Sequence, residues 1–189
     1  MADRDAGPGN GSLFFAFAPW IIFDVVAGPS TWGYAALAGL IASVVLTVPD
    51  IRRGQVNVLN AAGLVFFAVV SILALVWDRG QGIWLEEYAQ VISSGLIALV
   101  AFASLAFDPF TAQYARKSTP EQVWDTPRFK KANRVLTLLW ACVFAVIALL
   151  GWLALRFTSA DDWLNWVIPV ALIVLAVRFT RDYAAHQRG

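Results

Sequence analysis

Long uncharged stretches of apolar residues dominate the hydrophobic pattern of this chain. Four of them have 18 to 21 residues without one Asp, Glu, Lys or Arg: Thr31–Val48, Val58–Trp77, Tyr88–Phe107 and Val135–Leu155. An α-helix rises about 1.5 Å per residue, so each stretch is long enough to cross the roughly 30 Å hydrocarbon core of a bilayer. A chain of 189 residues has too small an interior to hide four such helices from water. The pattern therefore predicts an integral membrane protein.

Two further apolar segments are interrupted by proline and by polar residues. Leu13–Gly28 contains Asp24, and Trp163–Val177 contains Asn165. We expect the first segment to form a short or tilted helix, with a re-entrant segment as the alternative. The second is long enough to span if it extends from residue 160 to residue 180. The predicted fold is therefore an all-α, polytopic membrane bundle of six transmembrane helices.

Basic residues are concentrated in the connections at one end of this predicted bundle. If both termini lie in the cytoplasm, 12 of the 14 Lys and Arg residues are inside, and only Arg79 and Arg156 are outside. Lys and Arg resist translocation, so this asymmetry sets the orientation. The prediction is a cytoplasmic tail of residues 1–12, one transmembrane domain of residues 13–180 and a cytoplasmic tail of residues 181–189.

Aromatic residues agree with this orientation. Indole rings prefer the headgroup boundary, where the ring is apolar and the N–H remains hydrated. Six tryptophans fall at helix ends that the prediction places on the outer side: Trp32, Trp77, Trp84, Trp152, Trp163 and Trp166.

Composition narrows the functional classes. Hydrophobic residues make up 59% of the chain and charged residues only 14%, against about a quarter in soluble domains. The net charge of +1 gives no argument for nucleic acid as a partner. Cys142 and His186 are the only residues of their types, so we expect no disulfide, metal site, cofactor site or catalytic triad. We expect Cys142 to be a small buried core residue.

The connection at residues 108–134 is the longest predicted cytoplasmic segment, and it mixes aromatic with basic residues. Such a mixture is typical of a segment lying along the inner leaflet, with its charges near anionic lipid. An ordinary cytoplasmic loop is the alternative. The residues concerned are Trp124, Arg128, Phe129, Lys130 and Lys131.

Asp24 is the acidic residue that this pattern places inside an apolar segment. Intramembrane acids are energetically costly and often mark proton relays or substrate sites. Because Asp24 lies only four residues before Gly28, the alternative is an acid that reaches the outer interface or caps a neighbouring helix. We expect the other embedded polar residues to form interhelical hydrogen bonds. Among them are Asn57, Asn60, Gln90, Ser93, Ser94, Asn133 and Asn165.

Small residues at Ala35, Gly39 and Ser43 form a ridge at helical spacing. Such a ridge lets two helices approach closely. It predicts packing within one subunit or, alternatively, a homodimer face.

Four short motifs occur in order along the chain. They are Phe23-Asp24-Val25, Pro109-Phe110-Thr111, Pro120-Glu-Gln-Val-Trp124 followed by Asn133, and Asp162-Trp163-Leu-Asn165-Trp166. Together they resemble the intracellular septation protein A family, small bacterial inner-membrane proteins. The chain departs from the family pattern at Ile21, where the family often has Lys, and in a longer stretch between Trp124 and Asn133.

The resemblance implies a multi-pass protein of the bacterial plasma (inner) membrane that supports cell-envelope maintenance or septation without evident catalysis. Envelope or division proteins would be its partners, in addition to the lipid bilayer. The alternative is a small transporter or lipid-handling protein that uses Asp24 in a cavity open to the outer face. A third hypothesis, an enzyme acting on lipid headgroups, needs Asp24, Glu86 and Glu87 to converge. The candidate functional residues are Asp24, Trp124, Arg128, Lys130, Lys131 and Asn133.

Overall fold

The computed structural model describes residues 15–27, 31–76, 83–157 and 162–186, and these contain helices and no strand. Nothing is described for the predicted tail of residues 1–12 or for Trp77 and Arg79. The α-helices are α1 (Ala18–Val26), α2 (Trp32–Arg52), α3 (Val58–Val76), α4 (Ile83–Phe107), α5 (Phe110–Ala115), α6 (Glu121–Trp124), α7 (Pro127–Ala154) and α8 (Ile168–His186). A 3₁₀ turn (Arg116–Ser118) follows α5, and a π-helical turn (Trp163–Val167) precedes α8.

Five helical segments are long and apolar enough to cross a membrane. They are α2, α3, most of α4, α7, and the π turn continued by α8. At most 39% of the most apolar window of any of them is buried, so most side chains of each segment face outward. Large apolar residues such as Leu75 and Phe107 are 87% and 92% exposed. In a bilayer this surface contacts acyl chains instead of water, so the predicted all-α membrane protein is confirmed.

The sixth predicted span corresponds to α1, which is not among these five. Its nine residues reach about 14 Å, less than half the thickness of a hydrocarbon core. Residues 13, 14 and 28, at the two ends of the predicted segment, lie outside the described ranges. The described residues therefore show five candidate spans and one short helix packed among them.

Several helices extend beyond their uncharged stretches. Helix α2 continues past Val48 to Arg52, and α8 continues to His186, into the predicted cytoplasmic tail. Helix α7 begins at Pro127, so the end of the predicted loop 108–134 is helical. Thr126 caps this start, because its side-chain hydroxyl accepts a hydrogen bond from the backbone N–H of Phe129. Charged residues end a hydrophobic stretch without ending the backbone hydrogen bonding of a helix.

The long helices pack in two groups. In the first, α2 packs against both α1 and α3; in the second, α7 packs against both α4 and α8. Contact between α4 and α7 is the most extensive in the described chain, and a smaller contact between α3 and α4 joins the groups. Helix α1 and the residue before it also join the two groups, through contacts with α3 and α7.

Three aromatic residues, each three positions after the last, pack into this junction: Phe17, Trp20 and Phe23. All are buried. Trp20 stacks on Phe66 of α3 with ring centroids 5.2 Å apart, and Phe17 stacks on Trp140 of α7 at 5.1 Å. Such ring pairs add about 0.5–1.5 kcal/mol each beyond the burial of their area. We call the full set the aromatic core; it comprises Phe17, Trp20, Phe23, Phe66, Phe67, Trp140 and Phe144.

The small-residue ridge of α2 is used within the subunit. Ala35 and Ser43 are buried, and the Phe67 ring lies directly over Gly39. A Cβ atom added at Gly39 would be 2.7 Å from two carbons of that ring. Packing within one subunit, the first of the two predictions for this ridge, is confirmed, and the ridge is not available as a dimer face.

The prediction for Cys142 is wrong, because its side chain is exposed. The neighbouring residues Ala141 and Val143 are both buried, on the side of α7 that packs against the other helices. A helix of this length buries one side only, and Cys142 lies on the other.

We predict that Gly39→Ala destabilises the fold by about 1–3 kcal/mol, the usual cost of forcing an additional carbon into a packed interior. The matched control is Gly95→Ala, whose added Cβ would be 4.0 Å from its nearest neighbour, the Cβ of Ala148. Thermal unfolding of both variants in the same detergent measures the difference. Equal stability of the two variants would show that the Phe67 ring moves aside without cost.

Candidate functional site

The described helices share two ends that differ in composition. At one end lie Trp32, Trp84, Trp152 and Trp163, and we call this the tryptophan end. At the other, which we call the basic end, lie the last turn of α2, the segment 108–126, the first turns of α7 and the last turns of α8. Two residues depart from this division: Trp124 lies at the basic end, and Arg156 lies over the Trp152 ring at the tryptophan end. Each half of the bundle contains one polar site.

Asp24 follows Phe23 in the chain, so the burial of that ring turns the next side chain towards α4. The Ser93 hydroxyl donates a hydrogen bond of 2.9 Å to Oδ1 of Asp24. The Gln90 amide donates one of 3.0 Å to the Asp24 backbone carbonyl. No Lys or Arg of the described ranges forms an ion pair with Asp24.

The position of Ser93 shows how deep the Asp24 carboxylate lies. Ser93 is ten residues from the start of α4 at Ile83, which is about 15 Å along the helix axis. The Asp24 carboxylate therefore meets α4 almost three turns after the beginning of that helix. Its hydrogen bonds are made by side chains of α4 in the body of the bundle.

Asp24 lines a cavity of about 140 Å³ between α1, α4, α7 and the π turn that leads into α8. Its polar lining residues are Asp24, Gln90, Ser94 and Asn165. Apolar side chains, including Phe144 of α7 and Ile173 of α8, form most of the remaining wall. This space accommodates several water molecules or the polar head of a small ligand.

The π turn shapes the side of the cavity nearest the tryptophan end. Its wider winding places both Asn165 and Trp166 in the lining, and such turns are frequent at functional sites. Gly151 of α7 leaves room for this arrangement. A Cβ atom there would be 3.2 Å from Val91 and 3.7 Å from the Asn165 side-chain oxygen.

The cavity also has an open side. Ile21 and Val25 of α1 are 53% and 60% exposed, and Val170 of α8 is 52% exposed, yet all three line it. Their other faces lie on the outer, apolar surface of the bundle. The cavity therefore reaches the surroundings of the helices between α1 and α8, where a bilayer would supply acyl chains.

A second acid, Asp50, lies buried at the basic end of α2. The Lys117 ammonium is 2.8 Å from both of its carboxylate oxygens. The side-chain amides of Asn57 and Asn60 donate to Oδ2 at 2.8 and 3.1 Å. The Tyr114 hydroxyl donates to the Asn60 side-chain oxygen at 2.7 Å. We call these five residues the basic-end network.

A tight turn after α2 assembles this network. Gly54 has φ of +69°, a conformation that favours glycine. The backbone N–H of Gln55 donates to the carbonyl of Asp50, and that of Gly54 donates to the carbonyl of Ile51. This is a Schellman motif, and it turns the chain so that Asn57 returns to the Asp50 carboxylate.

The segment between α4 and α7 is fixed by its own polar contacts. Arg116 forms two hydrogen bonds of 2.7 Å with Asp108, which raise the pKa of the Arg116 guanidinium. Burial, together with the charge of Asp50, raises the pKa of Tyr114 and keeps its hydroxyl neutral as a donor. Helix α5 therefore presents Tyr114 to the basic-end network, and the 3₁₀ turn that follows it presents Lys117 to Asp50.

The structure does not bring the predicted candidate residues together. Five of them lie at the basic end, away from Asp24. The Trp124 indole packs against the Arg116 guanidinium and donates to the Thr119 carbonyl. Arg128, Lys130 and Lys131 are exposed on the first turns of α7, where Lys130 pairs with Asp125. Asn133 is buried, and its side-chain amide donates to the Phe129 carbonyl.

Sequence reasoning missed Asp50. Asp50 lies just after an uncharged apolar stretch, so the pattern indicated the end of a membrane span and not part of a functional site. A signal was nevertheless present: Asp50, Asn57 and Asn60 occur close together on either side of a glycine turn. Gln90, Ser94 and Asn165 line the cavity, but the sequence predicted them only as interhelical hydrogen-bonding residues and did not connect them with the Asp24 cavity.

Neither polar site has the composition of a metal centre. Within the described ranges no group of three or more His, Cys, Asp or Glu side chains could hold a metal ion. No family model, curated protein or solved structure matches this chain. The resemblance to the septation family therefore rests on its four short motifs.

We predict that Lys117→Met destabilises the protein by about 2–4 kcal/mol, because it leaves the buried Asp50 carboxylate without its cation. Adding Asp50→Asn should recover most of this loss, since the remaining polar groups are then uncharged. The matched control is Lys130→Met, whose partner Asp125 is exposed, and it should leave stability unchanged. Chemical unfolding in detergent measures all three. If the double variant recovered no stability, this result would contradict a direct interaction between Lys117 and Asp50.

Proposed function

We propose that this chain is a multi-pass membrane protein that holds a small amphiphilic molecule in the Asp24 cavity, without catalysing a reaction. One observation carries the proposal: an acidic side chain without a cationic partner in the described ranges lines an otherwise apolar cavity that opens on the lipid-facing surface. A buried carboxylate needs more than one donor to offset its desolvation. Ser93 supplies one, and a ligand supplies the others.

The lining favours a ligand whose polar head donates hydrogen bonds. The Asp24 carboxylate accepts, and the Gln90 amide already donates to the Asp24 backbone carbonyl. The Ser93 hydroxyl lies 3.0 Å from the Gln90 carbonyl as well, so its single proton is shared between two acceptors. An amine or alcohol head fits these acceptors, and an apolar tail leaves between Val25 and Val170.

A binding role fits this cavity better than an enzymatic one. Hydrolysis by the carboxylate-pair mechanism of inverting glycosidases uses two groups that exchange protons near the substrate. Among the described residues that line the cavity, Asp24 alone is ionisable. The enzyme hypothesis drew its acid and base groups from Asp24, Glu86 and Glu87. Glu87 is exposed and does not line the cavity, and the Glu86 side chain lies outside what the structure describes.

The biological setting comes from the sequence. We propose that the protein works in the bacterial plasma membrane, in cell-envelope maintenance or septation, as the resemblance implies. We also propose that the segment containing α1 is a short or tilted sixth span and that both termini lie in the cytoplasm. Envelope or division proteins, and a second copy of the chain, stay predicted partners. Arg128, Lys130 and Lys131 are exposed at the basic end, which supports their proposed contact with anionic lipid.

Cysteine labelling tests the orientation. In a Cys142→Ala background, single cysteines replace Ser118 at the basic end and Asp162 at the tryptophan end; both positions are exposed. We predict that a membrane-impermeant thiol reagent labels position 162 in intact cells and labels position 118 only after permeabilisation. Labelling of position 118 from outside would reverse the proposed topology.

Asp24→Asn tests the cavity. We predict that labelling of the cavity by a diazirine-tagged dodecylamine falls about tenfold, because a charged hydrogen bond worth roughly 1.5–3 kcal/mol is lost. Thermal stability should stay near that of the wild type, since Asn preserves the shape and can still accept from Ser93. Complementation of an envelope phenotype should be impaired.

The matched control is Asp162→Asn, the same change at an exposed position of the tryptophan end. It should change neither labelling nor complementation. A tagged dodecanoate, whose head cannot donate when ionised, should label the wild type weakly. Equal labelling of wild type and Asp24→Asn by the amine would exclude Asp24 as the acceptor.

A further inference from the structure

A second pocket, of about 260 Å³, lies beside the basic-end network. It is bounded by the residues that precede α1, by one face of α2, and by Tyr114 and Lys117. Its outer wall is apolar and faces away from the bundle: Phe15 and Val45 are both 64% exposed. Its inner wall is the Asp50–Lys117 ion pair. The pocket therefore joins a lipid-facing apolar surface to a charged interior.

The Lys117 ammonium retains capacity for a ligand. It has three N–H donors, and two are directed at the oxygens of Asp50. The third remains available, and the side chain keeps 24% of its surface exposed. Lys117 is thus held in place by Asp50 while it can still donate to an oxygen in the pocket.

Arg53, the C-cap residue directly after α2, is a second cation close in the chain to the lining residues Pro49 and Asp50. Val45, Pro49 and Arg53 are four residues apart, so they follow one another along the same face of α2. Val45 and Pro49 line the pocket, and Arg53 is exposed at the end of this face. Within the described ranges the Arg53 guanidinium forms no ion pair or side-chain hydrogen bond.

Pro49 adds an acceptor. Proline has no N–H, so the carbonyl of Val45, four residues earlier, loses its helical donor. Both residues line the pocket. A hydroxyl group of a ligand can satisfy this carbonyl.

We propose that this pocket binds an anionic phospholipid. Its phosphate lies between the Lys117 ammonium and the Arg53 guanidinium, and one acyl chain runs along Phe15 and Val45. A headgroup with a hydroxyl, such as glycerol, donates to the Val45 carbonyl. This site is independent of the Asp24 cavity and uses none of its residues.

A lipid fits the pocket better than free phosphate does. Free phosphate gains only the two cations, and the adjacent Asp50 carboxylate repels it. A phospholipid is already held in the bilayer by its acyl chains, so its phosphate meets the two cations at a high local concentration. One of its chains packs against the exposed apolar side chains of the outer wall. The shared chemistry is a phosphate ester, and the two sources are separated by experiment.

Native mass spectrometry of the full chain, released from detergent containing equal amounts of dioleoyl phosphatidylglycerol and dioleoyl phosphatidylcholine, counts the retained lipids. We expect the wild type to retain the glycerol lipid preferentially. Arg53→Ala should reduce this retention about fivefold, the equivalent of one charge worth roughly 1 kcal/mol at a membrane surface. Val45→Ser should reduce retention of both lipids, because it removes part of the apolar wall.

The matched control is Arg178→Ala, which removes an exposed charge from the basic end of α8, a helix that does not line the pocket. It should leave retention unchanged, and 10 mM inorganic phosphate (about a hundred times the Kd of a 0.1 mM site) should not displace the lipid.

Equal loss with Arg53→Ala and Arg178→Ala would show general attraction to the basic end and overturn the proposal. Displacement by inorganic phosphate, or equal retention of the two lipids by the wild type, would also overturn it. Arg53 and Val45 are chosen because neither forms a side-chain hydrogen bond or ion pair, within the described ranges, whose loss would unfold the protein.

Discussion

Burial of the aromatic face of α1 between the two helix groups is the interaction on which the other features depend. Phe17, Trp20 and Phe23 occupy the junction that α3 and α4 fill only in part. Their positions fix the rotation of α1 about its axis. As a result Asp24 is directed at α4, while Phe15 lies beside the end of α2. A short helix thus positions Asp24 at one site, and the residue preceding it contributes a wall of the pocket at the other.

The two sites differ in how well their carboxylates are satisfied. The Asp50 carboxylate receives a cation and two amide donors, all from the protein. The Asp24 carboxylate receives one hydroxyl, which a second acceptor shares. A fully satisfied network rigidifies the elements that form it, whereas a partly satisfied one leaves a favourable interaction for an incoming molecule. Because of this contrast, we propose that a ligand binds directly to Asp24 in the first cavity. In the second pocket we propose that it binds to the Lys117 ammonium, and Asp50 keeps its protein partners.

The sequence predicted the spans better than the sites, for physical reasons. Helix α3 coincides with its apolar stretch, because burial in lipid requires continuous hydrophobicity. Asp50 was missed because a charge at the end of an apolar stretch looks the same in the sequence whether it faces water or pairs with a lysine 67 residues away. Ser93 donates to the Asp24 carboxylate, and Asn165 lines the same cavity as Asp24, although both are far from Asp24 in the chain. No local sequence pattern predicts contacts between such distant residues. Exposure of Cys142 similarly depends on which side of α7 its neighbours cover.

The aromatic core has an electrical consequence. It lies between the two pockets, and its rings fill the interior from Phe17 to Phe23. An ion that left its water to cross this region would incur several kcal/mol of solvation energy, even after relaxation of the protein. In the described part of the chain, these packed rings therefore separate the two pockets with apolar side chains. Conduction of charge from one pocket to the other would require α1 to withdraw its rings.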